Sequence, residues 1–393
     1  MFGKKTLRKA VIYRQSSHKK DRPPPSSADP AMRRMNAICP YYTMFPLNFP
    51  LRRLRDAQKS EWVLDPFCGR GTTVFAGRLL GLACVGIDSN PIAAAITAAK
   101  LADASVEDVT FLARAALEAP RLPKALPEGE FWKLCFHPDT LRAICLLRER
   151  LLHRCTTAAE VMLRALVLGI LHGPLQKGKP TYLSNQMPRT YATKPAAALR
   201  YWKANGLTAP SKVDVLDAIV RRAEHTLAST PPLSKGSVYL ADSRKVAKFL
   251  PVNRKFGWVV TSPPYYGMRT YRPDQWLRNW FLGGPDHVDY TQHGQLAHHG
   301  EQFAEELSTV WKAITPYCLP GAKLIVRFGY LPSIPINPRS LLTTSLALAK
   351  AGWRVRRWDD AGLATNGKRQ SEQFGQIAGG ATSEVDLYAR LEA

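Results

Sequence analysis

Trp62-Val63-Leu64-Asp65-Pro66-Phe67-Cys68-Gly69-Arg70-Gly71-Thr72-Thr73 decides the fold. A short apolar, β-prone run meets a carboxylate, then two glycines one residue apart, then a stretch of helical composition reaching Leu80. Apolar runs bounded by Gly and Pro read as buried strands, and Thr after a glycine turn reads as a helix N-cap, here Thr72 or Thr73. The segment is therefore strand, turn and helix, the opening unit of a parallel α/β sheet. Gly69 and Gly71 let backbone approach a ligand closely, as glycines do in nucleotide-binding βα turns. The spacing is not the dinucleotide fingerprint, and no Gly-Lys-Ser/Thr follows to make a P-loop. Asp65 suits a cationic ammonium and would repel a pyrophosphate.

The next strand, Ala83 to Asp88, again ends in a carboxylate, and Asp88 lies 23 residues after Asp65. In a βαβ unit that is the place of an acceptor for ribose hydroxyls. Pro91 then opens an alanine-rich helix, Ile92 to Leu101. Either acid alone is equally an N-cap; two at successive strand tips around a glycine turn favour a ligand.

Upstream, prolines at 40, 46 and 50 exclude a regular strand, and a helix is expected only afterwards, at Leu51 to Leu54. The segment with Phe45 and Pro46 either lies over a ligand or closes one end of the core. Order is expected to begin near Ile38. Residues 1–31, rich in Lys and Arg and then Pro, read as a disordered basic tail and stiff linker, either touching phosphates or merely solvated.

From 103 to 235 the pattern is helical, with Leu141 to Leu152 and Ala158 to Leu171 as the clearest helices. Between Gly173 and Tyr191, Lys177, Lys179, Asn185, Gln186 and Arg189 are interleaved with hydroxyl and aromatic groups. That mixture suits phosphates and base edges, and a plain surface loop is the alternative.

The α/β pattern resumes with Ser237 to Leu240, whose tip carries Asp242, and with Trp258 to Thr261. The second of these delivers Thr261-Ser262-Pro263-Pro264-Tyr265-Tyr266-Gly267. Prolines end the strand and supply no N–H, so the carbonyls of Ser262 and Pro263 stay available to a cleft. Rigid acceptors followed by aromatic rings suit a flat ligand bearing an amino group; a Pro-rich loop with a packed tyrosine is the alternative. Trp276, Trp280 and Phe281 suggest a hinge or lid on the core. A helix from Glu301 to Leu319, a strand from Lys323 to Phe328 and a helix from Pro338 to Ala351 stopped by Gly352 follow. Trp353 to Trp358 and Glu384 to Leu391 read as a closing antiparallel pair. The fold class is α/β and Rossmann-like: a mainly parallel seven-stranded sheet over 32–102 and 236–393, with a mostly helical insertion at 103–235.

The chain has 393 residues, 45% hydrophobic and 22% charged, with no apolar run long enough to span a bilayer and no secretory h-region. Its formal charge of +24 favours polyanions and puts nucleic acid first among partners. An anionic membrane ranks lower, because the basic residues are spread along the chain. Seven cysteines without a C-x-x-C pair indicate reduced thiols, hence a cytoplasmic protein and no disulfide framework or structural zinc. His287, His293, His298 and His299 fit no zinc spacing, so no metal is expected.

Asp65-Pro66-Phe67-Cys68-Gly69-Arg70-Gly71-Thr72 resembles the methionine loop of S-adenosylmethionine-dependent amino-methyltransferases, and Thr261-Ser262-Pro263-Pro264-Tyr265 resembles their catalytic motif. In that family's DNA enzymes the second motif is Asp, Asn or Ser, then Pro-Pro and an aromatic residue. The serine form followed by Tyr-x-Gly-x-Arg-x-Tyr, here Tyr265 to Tyr271, is most similar to the N4-cytosine branch. The resemblance implies a class I methyltransferase fold with S-adenosylmethionine as cofactor. Phe45 and Pro46 would cover the methionine end; Asp65, Phe67, Gly69, Gly71 and Thr72 would hold methionine, Asp88 the ribose and Asp242 the adenine amino group. Ser262, Pro263, Pro264 and Tyr265 would receive the target base, while Lys177, Lys179, Asn185, Gln186, Arg189 and Arg269 would contact DNA. It also implies double-stranded DNA as substrate, a nucleoid-associated place in a prokaryotic cell and a cognate restriction or defence nuclease as partner. N6-adenine methylation is the alternative product; an RNA base-amino methyltransferase and a non-catalytic DNA-binding module are the rival classes.

Overall fold

The structure, a computed structural model, describes residues 29–41, 45–174, 178–184, 186–187, 194–229, 231–266, 273–290, 296, 300–329, 337–363 and 383–392. Seven strands form one sheet: β1 (Trp62–Asp65), β2 (Ala83–Asp88), β3 (Gly236–Leu240), β4 (Phe256–Thr261), β5 (Cys318–Gly329), β6 (Trp353–Leu363) and β7 (Ser383–Leu391). Their order is β3-β2-β1-β4-β5-β7-β6. The first five are parallel, and β7 runs antiparallel between β5 and β6. This is the doubly wound, mainly parallel sheet with a terminal antiparallel pair that the sequence predicts.

Successive strand residues point to opposite faces, and the two cores follow that alternation. Val63, Cys84, Trp258 and Ile325 join one buried cluster, while Leu64, Val85, Val259 and Leu324 join the other. Burial of both faces explains why these strands read as continuous apolar runs.

On the first face lie α1 (Pro30–Asn36), α2 (Asn48–Arg53), α3 (Thr72–Leu79) and α4 (Pro91–Ala99). Six helices of the insertion continue that layer: α5 (Val106–Leu117), α6 (Glu130–Cys135), α7 (Pro138–His153), α8 (Ala158–Ile170), α9 (Pro195–Ala204) and α10 (Val215–Thr226). Their apolar residues merge with those of α4 in one cluster, mainly through α8. The short helix α11 (Trp276–Phe281) is buried in the same layer, its Trp276 and Trp280 packed edge-on or tilted against Trp132 of α6. The opposite face carries α12 (Gly300–Ile314) and α13 (Pro338–Ala349).

Several boundaries differ from expectation, each for a local reason. Order begins before Ile38: Asp29 caps α1, which buries Met32 and Met35. Helix α2 starts at Asn48 rather than Leu51, because Pro50 falls in its first turn, where a missing N–H costs nothing. The helix expected to reach Leu319 stops at Ile314; a 3-10 turn at Thr315–Tyr317 contains Pro316, and β5 already begins at Cys318. Helix α13 ends at Ala349, where Lys350 takes left-handed backbone with φ 47°, and Gly352 follows with φ 82°. No helix among the described residues is long and apolar enough to cross a membrane.

Candidate active site

The strand order sets four tips in a row along one sheet edge: Asp242 after β3, Asp88 of β2, Asp65 of β1, and Thr261-Ser262 after β4. With strands about 4.8 Å apart, the row spans about 14 Å. Parallel α/β sheets bind ligands at this edge, outside the carboxyl ends of the strands.

Hydrogen bonds knit the tips together. Thr261 donates its hydroxyl to Asp65 Oδ1 at 2.6 Å, and the Phe67 N–H reaches the same oxygen at 3.2 Å. Asp65 is 2% exposed, and burial pushes its carboxyl up to about 7 despite these donors. Asp88 accepts the Gly69 N–H at 2.9 Å and the Asn90 N–H at 2.8 Å. Ser243 donates to the Pro66 carbonyl at 2.5 Å, tying the β3 tip to the β1 loop.

Gly69 and Gly71 both take positive φ, 49° and 79°. Gly71 is required by packing as well: a Cβ there would lie 2.6 Å from Thr97 Oγ1. Its side-chain space is filled by α4, so close approach to a ligand is not what demands glycine at 71. Thr97 also donates to the Gly69 carbonyl at 2.9 Å. The N-cap expected at Thr72 or Thr73 is instead left-handed Gly71. The Thr72 hydroxyl is buried with no hydrogen-bond partner among the described residues, while Thr73 lies against the Asp65 carboxylate.

Asp242 faces its own chain. Arg244 donates to both its oxygens at 2.9–3.1 Å, and also pairs with Glu306 of α12 at 3.1 Å. Burial alone would raise the Asp242 carboxyl; the Arg244 guanidinium outweighs it and holds the group below its usual range. Phe67 is half-buried edge-on to Trp311, and Phe45 is buried against Phe49 with ring centroids 5.0 Å apart, while Pro46 is exposed.

In the Pro-Pro turn, Ser262 and Pro264 are half-buried and Pro263 is buried. Tyr265 is 5% exposed, edge-on to Phe328, and donates its hydroxyl to Glu384 of β7. Glu384 belongs to a buried polar array that sequence reading missed. Arg327 of β5 forms a two-pronged pair with Asp386 at 2.7 and 2.8 Å, and its guanidinium carbon lies 3.9 Å from the centre of the Phe49 ring. A signal was available: Arg327 is the lone charge within an otherwise apolar run, and Glu384 and Asp386 alternate with buried Val385 and Leu387.

Of the residues expected to meet DNA, Lys177, Asn185, Arg189 and Arg269 lie outside the described residues. Lys179 pairs with Asp217 of α10 at 2.7 Å, and Gln186 donates to the Thr208 carbonyl. His293, His298 and His299 are also outside them; His287 is exposed beside Asp286. Among the described residues no three His, Cys, Asp or Glu side chains converge as metal ligands. All seven cysteines are free thiols.

Residues 11–99 match the family model of N6 and N4 methyltransferases described as DNA methylase, under a quarter of the chain. The matched stretch holds Phe45, the glycine loop and Asp88. This part of the chain is similar to amino-methyltransferases of DNA. No curated protein matches this sequence. Similar solved structures include the rRNA methyltransferase aviRa from Streptomyces viridochromogenes, with 13% identity, TM-score 0.32, and 90% of this chain and 87% of that one covered. TrmN from Thermus thermophilus has 10% identity and TM-score 0.33, over 91% of this chain and 51% of that one. A methyltransferase from Methanosarcina mazei has 9% identity and TM-score 0.33, over 89% and 99%. The class I fold rests on the strand order β3-β2-β1-β4-β5-β7-β6.

S-adenosylmethionine is the cofactor that this similarity implies, and the loop fits it. The Thr72 hydroxyl at the head of α3 is buried without a partner among the described residues. Asp65, whose charge is disfavoured by burial, gains most from a neighbouring ammonium.

Proposed function

We propose that the protein is an S-adenosylmethionine-dependent methyltransferase acting on an exocyclic amino group in double-stranded DNA, the N4 of cytosine. The observation that carries this reading is the Thr261–Asp65 hydrogen bond, which sets the Ser262-Pro263-Pro264 turn beside the glycine loop at adjacent strand tips. Bound S-adenosylmethionine supplies a methyl group activated by its sulfonium. Asp65, Phe67, Gly69, Gly71 and Thr72 are the residues to hold its methionine part, with Phe45 and Pro46 over them and Asp88 for the ribose. Asp242 is the acceptor for the adenine amino group, in competition with Arg244.

The amine of a nucleobase is a poor nucleophile, because its lone pair is conjugated with the ring. Ser262 and the Pro263 carbonyl accept its two N–H groups, favour a more tetrahedral nitrogen and aim the lone pair at the methyl. No covalent thiol is needed, and Cys68 would be a poor one, since burial and then Asp88 and Asp65 push its thiol up. The base has to leave the duplex to reach the turn, where Tyr265 is the ring placed to meet it. The formal charge of +24 supports a polyanionic substrate. A place in a restriction-modification or related defence system, beside a cognate nuclease, belongs to the same reading.

Nucleoside mass spectrometry of DNA incubated with the protein and S-adenosylmethionine tests it. N4-methylcytosine is expected, and Ser262→Ala should lower its yield about a hundredfold. N6-methyladenine moves the substrate to adenine. Neither product, from protein shown by calorimetry to bind the cofactor, overturns the reading.

A further inference from the structure

We propose that Glu384 is a positioning residue for methyl transfer, holding the ring of Tyr265 in the Pro-Pro turn through its hydroxyl and linking it to the Phe45–Phe49 segment. The inference rests on the reading of Ser262–Tyr265 as the base-receiving turn.

Glu384 is 4% exposed, yet a carboxylate is costly to bury. A tyrosine hydroxyl needs only a neutral acceptor, so the charge is more than the packing requires. On β5 the residue opposite Glu384 is Gly329, which has no side chain to pair with it, and its carboxylate accepts from Tyr265 instead. Two pairs further along, Arg327 lies directly opposite Asp386 and grips it with two bonds, while its Nη1 stands 4.0 Å from Glu384. Alternation along β7 puts Glu384 and Asp386 on one face. Arg53 of α2 reaches Asp386 at 3.3 Å. Arg327 also stacks on Phe49, which packs on Phe45. A continuous chain of contacts therefore runs from Tyr265 through Glu384, Arg327 and Phe49 to the segment on the cofactor side of the loop.

Such a chain fixes the plane of the tyrosine without touching the reacting atoms. Losing the Glu384 acceptor should misalign the ring, lowering kcat while leaving cofactor affinity intact. The test compares wild type with Tyr265→Phe, Glu384→Ala, Glu384→Gln and the Tyr265→Phe/Glu384→Ala double variant. Each is assayed for methyl transfer to unmodified genomic DNA and for S-adenosylmethionine binding by calorimetry. Tyr265→Phe and Glu384→Ala should each lower kcat about tenfold, the equivalent of one hydrogen bond. Cofactor Kd should stay within about twofold, Glu384→Gln should recover most of the rate by restoring a neutral acceptor, and the double variant should be no slower than the worse single one. Unchanged kcat in Glu384→Ala overturns the proposal, as do losses that multiply in the double variant or a cofactor Kd that weakens in step with kcat. Those results require active wild type; wild type that binds cofactor but methylates no DNA overturns the functional reading and the positioning role with it.

Discussion

Thr261 at the end of β4 donates to buried Asp65 at the end of β1, 2.6 Å away, so the turn with the prolines and the loop with the glycines share one carboxylate. Burial raises that carboxylate from an ordinary 3.8 to about 7. The folded chain thus holds the proton more tightly than the unfolded one. The stability this group contributes is full below about pH 4 and is lost as pH rises through about 7, at most on the order of 4 kcal/mol. Unfolding of cofactor-free protein between pH 5 and 8 should therefore show Asp65→Asn gaining on wild type as pH rises. Cofactor affinity should move oppositely, strengthening up to about tenfold per pH unit and levelling above about 7, because an ammonium favours the ionised form. A wild-type affinity profile that matches Asp65→Asn across that range would show that Asp65 does not meet the cofactor.

Gly71 and Gly81 share left-handed backbone, with φ 79° and 73°, but differ in surroundings. A Cβ at Gly81 meets nothing within 4 Å, whereas one at Gly71 overlaps Thr97. Gly81→Ala should cost about 1–2 kcal/mol from backbone strain. Gly71→Ala should cost about 1–3 kcal/mol more from overpacking. Equal urea midpoints for the two variants would mean that Thr97 moves aside freely.

Arg78 of α3 is fully buried and donates to the carbonyls of Lys100 and Ala102, where the chain leaves for the helical insertion, and of Pro232, where it returns, each at 2.9 Å. One guanidinium staples both ends of the insertion to the sheet's first helix. Arg78→Met keeps an apolar stem and strands the carbonyls of Lys100, Ala102, Pro231 and Pro232, so a loss of about 3 kcal/mol or more is expected in chemical denaturation. A loss below about 1 kcal/mol would mean that water replaces the guanidinium.

What was legible in the sequence was what lies close along the chain. The strand at Trp62–Asp65, its glycine turn and the carboxylates at 65, 88 and 242 are signalled by neighbours a few residues away. What was hidden depends on partners far along it: Thr97 closing over Gly71, Arg244 turning onto Asp242, and Glu384 reaching back 119 residues to Tyr265. The missed boundaries share a cause too. Pro50 is expected to precede its helix but falls within the first turn, whereas Pro316 is expected inside a helix but lies beyond its last turn, so the effect of a proline depends on its place in the helix.

Lys179 was singled out by its loop as a phosphate contact, and the structure pairs it with Asp217 while leaving it 63% exposed. Arg221 grips the same carboxylate at 2.9 Å and also bonds the Pro180 carbonyl, so the loop stays docked on α10 without the lysine. An exposed ion pair of this kind is worth at most about 1 kcal/mol, so Lys179→Ala should hardly change the unfolding midpoint. Under the DNA reading the same variant should flatten the dependence of log affinity on log salt by about one unit, while Asp217→Asn, which releases the lysine, should leave the slope intact. Titrations of duplex DNA at several salt concentrations separate the two outcomes, and a slope that Lys179→Ala leaves unchanged would make the lysine a docking residue of the loop alone.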